Sequence, residues 1–532
     1  MKRFFTLILS CSLSMFPISR AFAQDFLIEW QNTIGGAGTD SPRAVYPTND
    51  GGCVMAGSSF SNASGDKSED AIGSSGQNDY WVVKVNASGV IQWENTIGGD
   101  QADTPSSIKQ TSDGGYIIAG ESFSNASGDK TEDSMFFDFW VIKLNSVGVI
   151  EWDNTISGSS FERSPTVLET SDGGFLLGGI SDSGIGGDKT EPSNGGTDFW
   201  VLKLDDTGTI LWQNTIGGSS SDGINALIET SDGGFVLGGV SASDISGDKT
   251  ENGRGGGDYW IVKINDTGAV EWDKTIGGPG ADFLESVYQT PDGGYILGGF
   301  SSSDAGGEKS ENSLGLNDYW VVKLDASRNV QWENTIGALN SEDLGYTYPS
   351  DDGGYVVIGH SNSDAGGDKI ENSNGSFDLW FVKLNASGTI IGQNTIGGSE
   401  GDVLFFGEFA PSGDDLFMSC SSFSDISGDK TEDNVGSNDY WTLKLGNILS
   451  IANQELANKF TVFPNPTQNY IEWNLPNALI EEIALFDING KLITSSALIS
   501  ENRVDVSHLS DGLYFIKITS EGQTIIKKFI KK

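Results

Sequence analysis

Residues 24–446 alternate apolar and polar positions in short runs, and glycine-rich turns separate these runs. In a typical stretch a β-branched and aromatic run ends at the turn Asn86-Ala87-Ser88-Gly89, and the run after it alternates with period two. Such features predict paired β-strands. A second turn, Asp113-Gly114-Gly115, contains residues that tolerate positive φ. The unit therefore holds four predicted strands and one polar loop: strands at 79–85, 90–97, 106–111 and 116–119, and the loop at 124–138.

This unit repeats along the chain. An Asp-aromatic/Leu-Trp element recurs at spacings of 59 to 61 residues, with its tryptophan at Trp81, Trp140, Trp200, Trp260, Trp320, Trp380 and Trp441. A Trp-x-x-Thr-Ile element recurs beside it, with its tryptophan at Trp30, Trp93, Trp152, Trp212, Trp272 and Trp332. Four short strands repeated seven times predict an all-β fold, a seven-bladed β-propeller. An open β-solenoid is the alternative.

The phase of the repeat favours a closed ring. The chain enters the repeat at a second strand, 26–30, and leaves it after a first strand, 440–445. Pairing the two ends completes one composite blade and removes the exposed edge that an open array would carry. We therefore predict that residues 24–446 form the propeller.

The N-terminus has the pattern of a secretory signal peptide at residues 1–23. A basic start is followed by an apolar run and by Ala21-Phe22-Ala23, which has the small-x-small form of a cleavage site. A membrane anchor is the alternative, but the apolar run is short for a span. No later segment is apolar enough to cross a bilayer, so no transmembrane span is predicted.

Charge and composition exclude several classes of function. The net charge is −43; residues 450–532 carry 8 basic and 9 acidic side chains and residues 1–23 add three positive charges, which leaves −45 on the predicted propeller. Such acidity argues against nucleic acid as a partner. Two histidines leave little room for a multi-His metal site. Cys53 and Cys420 lie in predicted strands, where buried free thiols or a disulfide are both open.

Several polar residues recur in every unit. One is an acid six positions after the isoleucine of each Thr-Ile pair: Asp40, Asp103, Glu162, Asp222, Asp282, Glu342 and Asp402. A Gly-Asp-Lys-Thr/Ser-Glu motif lies in the polar loop, and hard oxygen ligands in a loop can bind Ca²⁺. The calcium candidates are Asp66, Glu69, Asp129, Glu132, Asp188, Glu191, Asp248 and Glu251. The alternative is structural, with these acids capping turns and pairing with the recurring lysines. No other cofactor is predicted.

An enzyme needs residues that differ around the ring. His360 is the single histidine of the repeat region, and its counterparts in other units share no chemistry. The four arginines, at 43, 163, 254 and 328, occupy unrelated repeat positions, so no catalytic set is predicted. A glycosidase that uses two carboxylates is harder to exclude. The repeated tryptophans are interpreted as blade packing, with sugar stacking as the alternative.

The repeat units and the C-terminal module each resemble a known family. The units, with Thr111-Ser112-Asp113-Gly114-Gly115-Tyr116 and residues 138–144, resemble the DGG-rich repeats of secreted bacterial propellers and, more distantly, the delta-60 family. After a linker at 447–458, residues 459–532 contain short strand patterns that predict a small Ig-like β-sandwich. This module resembles the C-terminal sorting domain of type IX secretion cargo, with an ordinary Ig-like binding domain as the alternative. The matching positions include Pro464, Asn465, Pro466, Asn489, Gly490, Gly512, Tyr514, Lys531 and Lys532.

The sorting-domain resemblance implies type IX secretion machinery as a partner, in a Bacteroidetes-type bacterium. It implies export through the periplasm to the outer surface or the medium. The predicted function is non-catalytic binding or adhesion, with a glycan or protein ligand on the propeller loops. The alternatives are a carboxylate-dependent extracellular polysaccharide hydrolase and a purely structural surface protein.

Overall fold

The computed structural model describes residues 27–73, 76–409, 415–446, 461–474, 480–487, 492–495, 503–510, 512–520 and 523–532. These residues form strands, turns and loops without any helix, so the all-β prediction is confirmed. No helix among them is long and apolar enough to span a membrane. The predicted signal peptide, 1–23, and linker, 447–458, lie outside the described residues.

Within residues 27–446, the described strands form seven antiparallel four-stranded sheets. The first strands of these sheets are β2 (Asp40–Pro47), β6 (Asp103–Gln110), β10 (Glu162–Glu169), β14 (Asp222–Glu229), β18 (Asp282–Gln289), β22 (Glu342–Pro349) and β26 (Asp402–Phe409). The second strands are β3 (Cys53–Ser59), β7 (Tyr116–Ser122), β11 (Phe175–Ser181), β15 (Phe235–Ser241), β19 (Tyr295–Ser301), β23 (Tyr355–Ser361) and β27 (Leu416–Ser422).

The third strands carry the Asp-aromatic/Leu-Trp element: β4 (Asp79–Val85), β8 (Asp138–Leu144), β12 (Asp198–Leu204), β16 (Asp258–Ile264), β20 (Asp318–Leu324), β24 (Asp378–Leu384) and β28 (Asp439–Gly446). The fourth strands carry the Thr-Ile pair: β5 (Ile91–Ile97), β9 (Ile150–Ile156), β13 (Ile210–Ile216), β17 (Val270–Ile276), β21 (Val330–Ile336), β25 (Ile390–Ile396) and β1 (Leu27–Ile34).

The two ends of the repeat region share one sheet, as the phase of the repeat predicts. Strand β1 pairs with β28 in antiparallel register from Leu27 opposite Gly446 to Ile34 opposite Tyr440. Strands β27 and β26 complete this sheet. The predicted composite sheet is therefore confirmed.

The core lies between successive sheets. In the described part of the chain, seven clusters of buried side chains each join two neighbouring sheets, and one of them joins the β1–β28–β27–β26 sheet to the sheet of β2 to β5. Trp81 in that cluster is fully buried and packs on Tyr440 with ring centroids 5.1 Å apart. The same contact recurs at 4.9–5.5 Å in five other pairs: Tyr80–Trp140, Phe139–Trp200, Phe199–Trp260, Tyr259–Trp320 and Tyr319–Trp380.

This recurring contact explains the Asp-aromatic-Trp element. Neighbouring residues of a strand point to opposite faces of the sheet. The aromatic residue therefore reaches the sheet on one side while the tryptophan reaches the sheet on the other. The second tryptophan set behaves differently: Trp93 is only half-buried and covers the turn at Gly148 of the next sheet. This set also packs between neighbouring sheets, as predicted, but at the edge of the core: Trp93 lies 5.5 Å from Tyr116 of the next sheet.

The C-terminal module has two described sheets. One contains β29 (Thr461–Phe463), β30 (Tyr470–Asn474) and β33 (Arg503–Asp505); the other contains β31 (Ile480–Asp487), β32 (Leu492–Ser495), β34 (Gly512–Ser520) and β35 (Gln523–Lys531). Buried residues of both sheets, among them Trp473 and Ile516, form one cluster. The module is thus a two-layered β-structure with its own core.

Candidate functional site

The first strands converge on one internal cavity. Residues of β2, β6, β10, β14, β18 and β22 line a space of about 420 Å³. A second space of about 190 Å³ adjoins it, because Lys109, Thr166, Asn225, Glu285 and Tyr346 line both. Together they form a central channel whose walls come from six different sheets. Cavities of this size are typical of small-molecule sites.

A bulge in the first strand selects which side chain faces the channel. In five first strands the register with the second strand skips one residue, which forms a β-bulge. The bulge residues are Arg43, Ser106, Asn225, Glu285 and Phe405. Bulges re-aim a side chain, and four of these residues line the channel. In β10 the irregularity spans Ser164 and Pro165, which line it as well. The bulge position thus carries a different chemistry in each sheet.

The channel has a cationic side. Arg43 of β2 and Lys109 of β6 come from neighbouring sheets and line the same space. The Nζ atom of Lys109 lies 4.6 Å from the ring centroid of Tyr46, a cation–π contact. Arg43 is exposed to the channel, whereas Lys109 is half-buried.

Another part of the channel is acidic and aromatic. Glu285 at the bulge of β18 is half-buried, and among the described residues no group donates a hydrogen bond to its carboxylate. Desolvation of the carboxyl group raises the pKa of Glu285 to about 8. Tyr288 packs on Tyr348 at 5.4 Å, and Tyr346 lies 6.5 Å from Tyr348. Glu285 and these three tyrosines line the same cavity.

These channel residues are absent from the sites predicted from sequence. The signal available for the bulge residues is the third residue after the aspartate or glutamate that begins each first strand, because its chemistry changes from unit to unit. The recurring polar residues, by contrast, form hydrogen bonds that hold the loops to their own sheet and to the neighbouring one.

The eight calcium candidates accept hydrogen bonds from backbone N–H groups. Asp66 Oδ2 accepts from Gly35 at 3.1 Å, across a sheet junction, and Glu69 Oε2 accepts from Thr96 at 2.8 Å. Equivalent bonds hold the other six candidates: Asp129, Glu132, Asp188, Glu191, Asp248 and Glu251. No group of three or more His, Cys, Asp or Glu residues suited to a metal occurs among the described residues.

The lysine of the same loop motif is buried. Lys67 donates to the hydroxyl of Thr96, and its Nζ lies 5.9 Å from the ring centroid of Trp81. Burial lowers the pKa of Lys67, and nearby carboxylates oppose that shift. The lysine therefore fastens the loop to the third and fourth strands of its own sheet, whereas Asp66 ties the loop to the neighbouring sheet.

Calcium is expected to leave the stability of the protein unchanged. The candidate carboxylates already accept backbone hydrogen bonds, and a bound cation would have to displace them. The melting temperature, measured by calorimetry in 5 mM CaCl₂ and in 5 mM EDTA, should agree within about 1 °C. A calcium-dependent rise that the Glu251→Gln variant reduces would contradict this expectation.

Buried carboxyl groups meet in pairs at the sheet junctions. Burial first, and then the carboxyl group of the neighbouring sheet, raises the pKa of Asp258 to about 6. Asp258 is fully buried; its Oδ2 accepts from Arg254 N at 2.7 Å, while its Oδ1 has no hydrogen-bond partner among the described residues. The pairs that interact in this way are Asp79–Asp103, Asp138–Glu162, Asp198–Asp222, Asp258–Asp282, Asp318–Glu342, Asp378–Asp402 and Asp439–Asp40.

Two further groups noted in the sequence are inert in this structure. The Nε2 atom of His360 lies 4.0 Å from Asp343 Oδ2, and burial lowers the pKa of His360 to about 4, so the ring is neutral at pH 7. Cys53 and Cys420 are buried free thiols, and burial raises the pKa of Cys53 to about 12. Neither cysteine has the exposed, activated character of a nucleophile.

The C-terminal module brings the two ends of its sequence motif together. Asn465 Oδ1 accepts a hydrogen bond from Ile530 N at 2.9 Å, and Thr467 pairs with Lys531. The hydroxyl of Tyr514 donates to Ser510 O at 2.9 Å, close to Gly512 at the start of β34. Asn489 and Gly490 lie outside the described residues.

The module matches a known family model. Residues 461–532 match the model described as the secretion system C-terminal sorting domain. They are a type IX secretion sorting domain. The protein is therefore exported by the type IX secretion machinery, with which the sorting domain interacts, and it is secreted or held at the outer surface.

The repeat region is similar to several solved structures at low sequence identity. The WD40 domain of Neurospora crassa Pan2 has a TM-score of 0.43 and 11% identity, covering 79% of this chain and 96% of that chain. Sqt1 from Chaetomium thermophilum has a TM-score of 0.41 and 12% identity, covering 78% and 99%. A protein of unknown function from Dyadobacter fermentans has a TM-score of 0.38 and 12% identity, covering 79% and 99%. No curated protein sequence matches this chain.

Proposed function

We propose that the protein is a non-catalytic binding protein, secreted or displayed at the cell surface, whose ligand enters the central channel. The fold proposed for residues 24–446 is a closed seven-bladed propeller of DGG-type repeats, and that for 459–532 is an Ig-like sandwich. The ring closure is supported by the β1–β28 pairing and by the packing cluster that joins the last sheet to the first.

One observation carries the binding proposal. In a scaffold with many recurring polar positions, the bulge of the first strand carries a different residue from sheet to sheet, and four of these residues line a cavity. Arg43, Asn225 and Glu285 stand at the same bulge in three sheets and share one space. The loops are a poorer candidate than the sequence suggested, because their recurring side chains already have structural partners: the Asp bonds to the neighbouring sheet, and the Lys and Glu bond to the fourth strand of their own sheet.

The experiment is a ligand screen that includes a variant whose channel is blocked by a large side chain. The full chain and two variants are screened by thermal shift against neutral oligosaccharides, polyamines and short peptides. Thr166→Trp fills a wall position shared by both spaces, whereas Leu211→Trp adds an indole to an outer strand, at a residue 58% exposed. We expect at least one ligand class to raise the melting temperature of the parent and of Leu211→Trp, but not of Thr166→Trp.

Three results would overturn the proposal. A shift that survives in Thr166→Trp would move the site out of the channel. The absence of any shift across the screen would favour a purely structural surface protein. Release of reducing ends from a polysaccharide, lost in Glu285→Gln, would replace binding by hydrolysis, since an acid with a raised pKa can serve as the general acid of a glycosidase.

A further inference from the structure

The cationic side of the channel is unusual for this chain. Of the sixteen lysines in residues 24–446, fourteen occupy the two recurring positions, and the exceptions are Lys109 and Lys274. Lys274 forms an ion pair with Glu251 at 3.1 Å, and Lys109 makes a cation–π contact with Tyr46. Of the four arginines, Arg43 lies in the channel wall. A strongly acidic protein thus places two of its few non-repeated cations in one cavity.

The acidic side is built for a positive group. Among the described residues, no group donates a hydrogen bond to the Glu285 carboxylate and no cation lies close enough to lower its raised pKa. Tyr288 and Tyr346 line the cavity with it, and aromatic faces attract ammonium groups. An ammonium placed there would supply the opposite charge that ionised Glu285 requires.

The two sides face each other across the channel. In the closed ring of the proposed function, β18 is three sheets away from β2 in one direction and three from β6 in the other. Glu285 therefore stands opposite the junction between the sheets of Arg43 and Lys109. Thr166 and Asn225, on the two first strands between β6 and β18, supply neutral hydrogen-bonding groups.

We propose that the channel binds a small zwitterion whose ammonium and carboxylate groups are several bonds apart. The ammonium binds at Glu285 and the tyrosines, and the carboxylate binds at Arg43 and Lys109. This inference rests on the proposed function and names its ligand class. A charge of −45 on the surrounding ring repels net anions. A zwitterion has no net charge, so it meets no such repulsion, and it presents one charged group to each wall.

Calorimetric titration of the full chain at pH 8 tests this pairing of charges. The probe is 6-aminohexanoate, and its single-charge analogues are hexylamine and hexanoate. Triglycine and glycine form a second arm, which distinguishes a short peptide from a free amino acid. We expect 6-aminohexanoate or triglycine to bind at least tenfold more tightly than either single-charge analogue. Equal affinity for hexylamine, or binding to none of these probes, would overturn the proposal.

Two wall variants assign each charge. Glu285→Gln is expected to weaken the zwitterion at least tenfold while leaving hexanoate unchanged, and Arg43→Gln is expected to do the same while leaving hexylamine unchanged. Arg328→Gln, at an arginine that lies over Trp272, is the matched control and should retain full affinity. If a wall variant fails to fold, the analogue series on the parent still decides.

The outcome separates this inference from the proposed function. A neutral oligosaccharide that binds the parent but not Thr166→Trp, with no binding of zwitterions, keeps the channel as a binding site and rejects the ligand class. Zwitterion binding that survives in Thr166→Trp rejects both.

Discussion

Deletion of residues 24–34, which include β1, is expected to lower the melting temperature by roughly 5–10 °C and to reduce the yield of refolding. Strand β1 is the fourth strand of its sheet and pairs with β28 along its whole length. Its Ile34 is fully buried in the cluster that joins the last sheet to the first. Burial of an aliphatic side chain contributes ~1.5–3 kcal/mol, and the uncovered edge of β28 would add an aggregation site.

The measurement is differential scanning calorimetry on proteins without residues 459–532. A circular permutant is the matched control: it begins at residue 35 and carries residues 27–34 after Gly446, through the turn Asn-Ala-Ser-Gly of the other sheets. The permutant restores every β1 contact and breaks only the link between β1 and β2. We expect it to recover most of the lost stability. An equal melting temperature for the parent and the deletion would contradict the role of β1 in closing the repeat region.

Much of this fold is readable from periodicity. The 60-residue spacing and the period-two alternation give the number of strands per sheet, and the phase of the repeat gives the composite sheet. The start of the first strand is less readable: the strand expected at 106–111 begins at Asp103 and ends at Gln110. Pro105 and its polar neighbours hide it, because a bulge after Pro105 interrupts the alternation that defines a strand.

The candidate site could not be predicted for a related reason. A repeat makes the recurring residues conspicuous, but the recurring acids accept hydrogen bonds from backbone N–H groups, and several lie beside a second buried acid. Glu285 and Arg43 stand at positions whose counterparts share nothing with them, so in sequence they resemble ordinary variation. Only the convergence of six first strands on one cavity brings these side chains together.

Acidification from pH 8 to pH 5 is expected to raise the melting temperature by several degrees. Buried carboxyl groups at the sheet junctions hold protons more tightly in the folded protein than in the unfolded chain. The pKa is raised to about 7 at Asp79 and Glu162 and to about 6 at Asp103, Asp198, Asp258 and Asp378, in each case mainly by burial. A shift of two units corresponds to ~3 kcal/mol per group, and even a fraction of this at several junctions changes the stability measurably.

The sign follows from proton uptake. Near pH 8 these acids are ionised in both the folded and the unfolded state, so the folded protein bears the full cost of burying charge. As the pH falls through 7 and 6, the folded protein binds protons first and that cost disappears; the gain is complete near the ordinary pKa of 3.8. Below about pH 4 the trend reverses, since the exposed turn acids, such as Asp232 with a pKa of about 2, then lose their contacts.

Two aspartate-to-asparagine variants distinguish this mechanism from a general effect of net charge. Asp258→Asn imitates the protonated acid, so it should raise the melting temperature at pH 8 and change it little at pH 5. Asp232→Asn removes an equal charge from the exposed pair with Lys263 at 3.2 Å, and it should lower the melting temperature slightly at pH 8. If both variants stabilise the protein equally, the pH effect comes from repulsion across the whole acidic ring. Opposite signs would assign it to the buried carboxyl pairs, because only there does neutralisation remove a charge that the fold has taken out of water.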